Sequence, residues 1–363
     1  MSHHAVWYVL VTAVAQRIAT VLVLFVVVGF DKGSAHLLEW DATWYRGIIT
    51  RGYQLGRDDG TPSNLAFFPL YPMTAKLLAA LPFVSTGAAM LMIGIAGAVV
   101  AAVPIFLIGK HLHSVTVGFV LAMLWGAMPQ SIVLVMGYPE GLFTAATAFG
   151  LLFLLRKQPV AAAVATCLAG LIRPSALPLI LVVMVWSFVN LCHKPRQWRW
   201  WVSTGLAPLG TGVYLIYIAY RTGDLFGYFA IQRDWNLRFG KPWELVLQAH
   251  YYLTTNDSYL VSMDIYLPIV VAFVLLVIML AGRWRWPGYS WIVLYTIVAA
   301  ALVVTRATFF WSESRQFLVL FPLLLPLATI KTSRWAWVIT LIVGTVASAY
   351  FGTMLLSAFQ YSP

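Results

Sequence analysis

Two acids, Glu39 and Asp41, and two bases, Arg46 and Arg51, lie within the fifteen positions 39–53 of a chain otherwise rich in apolar residues. Aromatic residues surround them, and tryptophan and tyrosine rings anchor a segment at the level of the lipid headgroups. Partial removal from water raises the affinity of a carboxylate for a proton, which suits a general base. An ordinary interfacial loop with a solvated aspartate has the same composition, and aspartate also favours the capping position before a helix.

Two further charged residues, Glu140 and Arg173, each lie in a short hairpin between apolar segments. Such hairpins bring charged side chains to the rim of the membrane, where they can form a site with the stretch that contains Asp41. The same two residues also suit a plain ion pair that ties the hairpins together, which is a common and individually weak contact.

Arg306 and Arg315 flank a third polar stretch, residues 305–315. The arginine fork matches the oxygens of a phosphate group bidentately, so both residues are candidates for binding a lipid phosphate at the membrane surface. Ordinary snorkelling of the two side chains to the headgroups is the alternative.

The composition is that of a polytopic membrane protein. Of the 363 residues, 61% are hydrophobic and 10% are charged, whereas a soluble domain carries roughly 25% charged residues. The net charge of +11 therefore indicates basic cytoplasmic loops rather than binding to nucleic acid. The sequence contains no glycine-rich phosphate-binding motif and no His-Glu-x-x-His pair, so we predict no nucleotide cofactor and no metal.

Apolar runs of spanning length predict an all-α protein with about eleven transmembrane helices. We place them at 7–29, 86–109, 115–136, 141–155, 159–172, 174–192, 200–220, 264–282, 287–304, 315–330 and 335–357.

The loops between these spans differ in charge from one side to the other. One set holds ten bases and no acid, and the other holds all twelve Asp and Glu residues with twelve bases. The positive-inside rule places the basic set in the cytoplasm and the mixed set outside. Arg17 is left over inside the first span, where a charge costs at least ~2.5 kcal/mol. We expect it, with Gln16 beside it, to have either a structural partner or a function.

We predict one integral membrane domain over residues 1–363, with two long external segments. The first, 31–85, contains Asp41 and two helices along the membrane surface, at about 42–49 and 66–81, because prolines and a lysine in the latter disfavour a span. The second, 221–262, is rich in aromatic residues. We expect it to fold over the first segment and to cover a cavity.

Six motifs, in chain order, resemble those of the phosphatidylinositol-glycan class V mannosyltransferases and their bacterial relatives. They are Trp40-Asp41-Ala42-x-Trp44-Tyr45 with Ile48 and Gly52-Tyr53, Phe67-Phe68-Pro69-Leu70-Tyr71-Pro72, Tyr138-Pro139-Glu140-Gly141-Leu142-Phe143, Arg173-Pro174-Ser175, Gly223-Asp224-Leu225-Phe226 with Gln232 and Trp235, and Ser314-Arg315-Gln316 with Phe321-Pro322-Leu323. The resemblance covers roughly residues 5–330. Ala176, Leu225 and Gln316 depart from the family pattern, in which Gly, Pro and Tyr are usual.

The resemblance implies a membrane glycosyltransferase of the GT-C class in a bacterial plasma membrane, with its site on the periplasmic face. It implies transfer of mannose from a polyprenyl-phosphate-mannose donor to a glycolipid or glycan acceptor. An acidic residue of the first external loop is the catalytic base in such enzymes, and Asp41 matches it. For the donor phosphate we predict Arg315, Arg306 and Arg173. For the remaining substrate contacts we predict Trp40, Trp44, Tyr45, Arg46, Tyr71, Glu140, Asp224 and His250.

Two other functions suit a membrane protein of this composition. One is a transporter or flippase of lipid-linked sugars, and the other is a scaffold that binds glycolipids without catalysis. Transporters commonly contain inverted repeats and broken helices that meet at the membrane midplane. The sequence has no visible repeat, and its polar residues concentrate at the external rim, which favours the transferase.

Overall fold

The computed structural model describes residues 2–56, 62–235, 240–241, 243–244, 247, 250–251, 254–255, 259–282, 286–305 and 314–357. Within these ranges the chain is helical and contains no β-strand, as the apolar pattern predicts. The α-helices are α1 (Ser2–Val28), α2 (Phe30–His36), α3 (Asp41–Arg51), α4 (Leu70–Ala79), α5 (Thr86–Leu112), α6 (Val115–Gly126), α7 (Glu140–Leu155), α8 (Pro159–Ile172), α9 (Leu177–His193), α10 (Trp198–Leu206), α11 (Leu209–Thr222), α12 (Gly227–Asp234), α13 (Tyr259–Ala281), α14 (Tyr289–Thr305), α15 (Leu325–Ala328) and α16 (Arg334–Ser357).

All eleven predicted spans fall on helical segments, but they differ in length. Five stretches of the described chain are long and apolar enough to cross a membrane as they stand, and they are His4–Val28, Thr86–Leu112, Pro174–His193, Trp198–Thr222 and Arg334–Ser357. The shorter apolar helices include α7, α8 and α14. The architecture is therefore an all-α, multi-pass membrane bundle.

Two of the predicted spans are not single straight helices. The segment 115–136 divides into α6 and a 3₁₀ segment, Pro129–Val135, and the two parts are bent by 80°. The segment 315–330 is mainly a 3₁₀ helix, Ser314–Leu324, followed by the four-residue α15. Prolines explain both departures, because proline lacks the N–H group that an α-helix needs and its ring clashes with the preceding turn.

Arg17 has a structural role at the bend after α6. The end of a helix leaves backbone carbonyls without partners, and a bend inside a membrane bundle cannot use water for them. The Arg17 guanidinium, which is buried, donates to the carbonyl oxygens of Gly126 and of Ser131, the latter at 3.3 Å. The Gln16 amide donates to the carbonyl oxygen of Met123 at 3.1 Å. Arg17 and Gln16 therefore have structural partners, which are backbone carbonyl groups at this bend.

Close packing of α5 against α7 fixes where α7 begins. A Cβ atom placed on Gly97 of α5 would lie 2.7 Å from the Cα atom of Leu142 in the first turn of α7. Only glycine fits at such a crossing, as at other small-residue contacts between membrane helices. The first residue of α7 is Glu140, so this contact positions one of the predicted site residues.

We expect Gly97→Ala to lower the free energy of unfolding by about 1–3 kcal/mol, because the added methyl group overpacks a backbone contact. Thermal unfolding of the purified protein in detergent measures the effect. Gly212→Ala in α11 is the matched control, since a Cβ atom there has no neighbour within 4 Å among the described residues. Equal melting temperatures for the two variants would contradict this packing.

The segment 31–85 contains two helices near the predicted positions, α3 and α4. Helix α11 and the described start of the segment 221–262 pack on it. The Trp235 indole N–H donates to the carbonyl oxygen of Ser63 at 2.8 Å, and the Tyr214 hydroxyl donates to that of Phe67 at 2.9 Å. Helix α11 ends at Gly223, whose φ of 69° is left-handed and suits glycine.

Helices α7 and α8 place the charged hairpins at one end and the basic loop between the two helices at the other. Helix α7 begins at Glu140 and ends next to Arg156 and Lys157. Its 16 residues span about 24 Å at the usual helical rise. Helix α8 returns from that basic end to Arg173. The bundle therefore separates the two classes of charge that the sequence pattern distinguishes.

Candidate active site

Four of the predicted site residues form one ion-pair network. The Arg315 guanidinium contacts the Asp41 carboxylate at 2.7 Å, from Nη2 to Oδ2, and Arg315 Nε lies 3.6 Å from Glu140 Oε1. Arg173 pairs with the same Glu140 oxygen. Four segments far apart in the sequence thus meet, at the ends of α7 and α8 away from Arg156 and Lys157. The proposed Glu140–Arg173 ion pair exists, but it is part of a larger cluster.

Asp41 is held at the first residue of α3, with its side chain turned to Arg315 rather than to the helix end. The capping position is Trp40, which makes no side-chain capping bond. The alternative that Asp41 caps this helix therefore does not hold. Trp40 has a φ of 55°, an uncommon conformation for a bulky residue. The amino-terminal end of α3 carries partial positive charge, which further favours the Asp41 carboxylate.

Tyr138 contacts both Asp41 and Arg315, and it was not among the predicted site residues. The Asp41 backbone N–H donates to the Tyr138 hydroxyl at 3.3 Å. The Arg315 guanidinium carbon lies 5.3 Å from the centre of the Tyr138 ring, which is a cation–π contact. The side chain is fully buried. Its position two residues before Glu140 was the available signal, since both belong to the same hairpin motif.

Gln316 and Ser175 give the network a second support. The Ser175 hydroxyl donates to Gln316 Oε1 at 3.4 Å, and both side chains are buried. This bond joins the segment that follows Arg173 to the residue that follows Arg315. Gln316 departs from the tyrosine of the family pattern, and here its amide serves as the acceptor that ties the two segments together.

Several polar atoms of the network are buried without a hydrogen-bond partner among the described residues. They are Glu140 Oε2, Arg315 Nε and Arg315 Nη1. Buried donors and acceptors in native proteins are almost always paired, so such atoms call for an explanation. A bound anion would supply acceptors for the two arginine nitrogens. The arrangement thus provides a carboxylate beside a guanidinium with unused donors.

Aromatic rings form one wall of the network. Tyr45, one turn after Asp41, lies 4.9 Å from the Tyr71 ring and 5.0 Å from the Phe67 ring. Burial raises the pKa of the Tyr45 hydroxyl well above its usual value, and the nearby negative charge of Asp41 also acts to raise it. Tyr45 therefore stays protonated at neutral pH, and its hydroxyl is a hydrogen-bond donor.

A cavity of about 250 Å³ lies along the neighbouring face of α3. It is lined by Thr43, Trp44, Gly47, Arg51, Gln54, Leu55, Pro62 and Asn64. The Trp44 ring packs edge-on against Trp235, at 4.7 Å, so the second external segment contributes to the wall behind it. An indole, a guanidinium and amides are groups that bind sugars and other polar ligands.

The structure does not bring every predicted residue into the network. Tyr71 is fully buried and donates its hydroxyl to the carbonyl oxygen of Met90 at 3.0 Å, so it supports Tyr45 rather than facing a cavity. Asp224 is exposed and accepts from the Phe226 backbone N–H at 2.8 Å, which makes it a turn residue beside a different cavity.

Two other predicted contacts, His250 and Arg46, also stand apart from the network, and a third, Trp40, lies beside it. His250 is exposed. Arg46 is exposed, and its guanidinium lies beside Gly87 at the start of α5. Trp40 is 40% exposed next to the network. Arg306 lies outside the described residues. Among the residues described here, no three His, Cys, Asp or Glu side chains stand close enough to hold a metal ion.

Comparison with solved structures shows the class of fold. The helices and their order define the GT-C fold, an all-α membrane architecture. The crystal structure of ArnT from Cupriavidus metallidurans in the apo state is similar with a TM-score of 0.54 and 15% identity, over 97% of this chain and 75% of ArnT. ArnT bound to undecaprenyl phosphate is similar with a TM-score of 0.53 and 14% identity, over 94% of this chain and 74% of that one. No family model and no curated protein matches the sequence.

Proposed function

We propose that this protein is a membrane glycosyltransferase that uses a polyprenyl-phosphate sugar donor. The observation that carries the proposal is the Asp41–Arg315 ion pair in a chain with a GT-C fold, because it holds a carboxylate that can accept a proton beside a guanidinium that can bind phosphate. From the motif resemblance, the transferred sugar is mannose and the acceptor is a glycolipid or a glycan.

The proposed reaction is a single displacement at the anomeric carbon of the donor sugar. The acceptor hydroxyl gives its proton to the Asp41 carboxylate while its oxygen forms the new bond to the anomeric carbon. The bond from that carbon to the phosphate oxygen breaks, and the electron pair leaves with the polyprenyl phosphate. A β-linked phospho-mannose then gives an α-mannoside. The leaving phosphate needs no acid, only positive charge.

Arg315 and Arg173 supply that positive charge in the proposal. Both guanidinium groups are already in the cluster, and Arg315 has donors that a phosphate oxygen fits. Arg306 belongs to the same proposal by sequence alone. Glu140 holds the two arginines near one another, since it contacts both. The apolar polyprenyl chain would lie between membrane helices, where burial of its surface adds affinity.

In this proposal the acceptor binds in the cavity beside α3. Trp44 lines this cavity and belongs to the aromatic group that also includes Tyr45, which borders the charged network. A sugar of the acceptor on the Trp44 ring would therefore lie close to Asp41. The cavity also contains Arg51, whose guanidinium offers hydrogen bonds to sugar hydroxyls.

The site faces the outside of the cell in this proposal, because the basic loops occupy the opposite end of the bundle. We expect a cysteine at Thr43 to react with a membrane-impermeant maleimide in intact cells, and a cysteine at Lys157 to react only after permeabilisation. Both positions are exposed. Cys167 and Cys192 are first replaced by serine. The reverse labelling pattern would place the site in the cytoplasm.

The flippase alternative has no specific observation in its favour. The broken helix at 115–135 is the feature that a transporter would use, yet its break is filled by the buried Arg17 and Gln16 side chains and their hydrogen bonds. This helix therefore has a packing explanation. A non-catalytic scaffold would not need an aspartate beside an arginine with unused donors.

Mass spectrometry of lipid-linked glycans tests the proposal and identifies the acceptor. Cells that lack the gene are compared with cells that carry it, and with cells that carry the Asp41→Asn gene. We expect one species to lack a single hexose in the first and third strains only. Identical glycan profiles in all three strains would contradict the proposed function.

A further inference from the structure

The Asp41–Arg315 pair has a consequence for the order of events in the proposed reaction. A carboxylate oxygen that holds a guanidinium is less available to an acceptor hydroxyl, because the arginine already occupies it. The contact occupies Asp41 Oδ2 and one amino group of Arg315 at 2.7 Å. In the ligand-free protein the proposed base and the proposed phosphate-binding group therefore restrain each other.

The charges of the network balance without a ligand. Asp41 and Glu140 are matched by Arg173 and Arg315, and the Arg315 side chain is only 7% exposed. Charges that are removed from water require nearby compensation. An incoming donor phosphate adds a negative charge to a balanced cluster, so one of the existing acids must give up its contact with an arginine.

We propose that the phosphate of the lipid donor displaces Asp41 from Arg315 and thereby activates it as the base. This inference rests on the proposed function. Asp41 is the acid that yields, because 24% of its side chain is exposed, compared with 3% for Glu140. Glu140 also keeps Arg173 as a partner. Once Arg315 has turned to the phosphate, Asp41 Oδ2 is open to the acceptor hydroxyl while the donor is bound.

The same exchange resets the site after transfer. Asp41 then holds the acceptor proton and is neutral, while the polyprenyl phosphate occupies Arg315. When the phosphate departs, Asp41 releases its proton to water and pairs with Arg315 again. Asp41 is therefore paired with Arg315 whenever the donor is absent. It follows that the donor binds before the acceptor reacts.

Equilibrium binding of undecaprenyl phosphate to the purified protein in detergent, measured by native mass spectrometry, tests this exchange. We expect Asp41→Asn to lower the dissociation constant about tenfold, because the phosphate no longer competes with a carboxylate for Arg315. Asp31→Asn removes an exposed acid of the same loop and is the matched control, with an unchanged dissociation constant. Undecaprenol, which lacks the phosphate, is expected to bind all variants alike, and inorganic phosphate to show the same order of variants with weaker binding.

A double-mutant cycle separates competition from simple charge repulsion. In an Arg315→Gln background, Asp41→Asn is expected to change the dissociation constant by less than about twofold. A tenfold gain that persists without Arg315 would overturn the exchange, and so would an unchanged constant for Asp41→Asn alone. Failure of the wild-type protein to bind undecaprenyl phosphate would instead contradict the proposed function. Asp41→Ser provides the same comparison if the asparagine variant does not fold.

Discussion

Replacing Asp41 with asparagine is expected to slow sugar transfer by about 10²–10⁴-fold. Asparagine has nearly the same shape as aspartate, but its amide does not accept a proton from the acceptor hydroxyl. The loss corresponds to roughly 3–5 kcal/mol of transition-state stabilisation. The measurement is the initial rate of transfer from polyprenyl-phosphate mannose to the acceptor by the purified protein.

Asp31→Asn is the control for this experiment, because it removes an exposed acid upstream of Asp41 in the same external segment. It should leave the rate unchanged. Binding of undecaprenyl phosphate by the Asp41→Asn protein shows that the variant is folded, so that its slow turnover reports on chemistry. Turnover of Asp41→Asn at the wild-type rate would remove this carboxylate from the reaction.

The second large effect is expected at Arg315. We expect Arg315→Lys to raise the dissociation constant of the donor roughly 30-fold, because lysine keeps the charge but loses the planar fork that matches phosphate. Isothermal titration with polyprenyl-phosphate mannose measures it. Removal of the charge in Arg315→Gln also leaves Asp41 and Glu140 short of a cation, a change that typically costs 3–5 kcal/mol of stability.

The lysine variant is therefore the informative one, and its thermal stability should be compared with that of the wild-type protein. Arg156→Gln is a suitable control, since this exposed arginine lies at the basic end of the bundle. It should bind the donor normally. Normal donor affinity in Arg315→Lys would assign the phosphate to other residues, with Arg173 the next candidate in the cluster.

The charged residues of the site were predictable because polar residues in an apolar chain have few permitted places. Asp41, Glu140, Arg173 and Arg315 all follow or precede apolar runs on the side with mixed charge, and a membrane bundle collects such residues at one rim. Their pairing pattern was not predictable. Charge alone does not say that Arg315 lies between two acids, since this depends on how α3, α7 and the segment after residue 314 pack.

The bend after α6 and the roles of Tyr138 and Asp224 could not be predicted from the sequence. Hydropathy shows that a segment is apolar but not whether its helix bends. The 80° bend after α6 therefore could not be predicted from this continuous apolar run. Tyr138 has the sequence environment of a core residue, and only packing shows its hydroxyl on Asp41 and its ring under Arg315. Asp224 looks chemically competent in the sequence, yet its carboxylate caps a local turn.

The anomeric configuration of the product tests the central claim most directly. Purified protein, β-linked polyprenyl-phosphate mannose and the acceptor are incubated, and the one-bond carbon–proton coupling of the new linkage is measured by NMR. Direct attack by a hydroxyl that Asp41 deprotonates inverts the anomeric carbon, so the account predicts an α-mannoside. A β-mannoside would require two displacements through a covalent intermediate and would contradict the role of Asp41 as a general base.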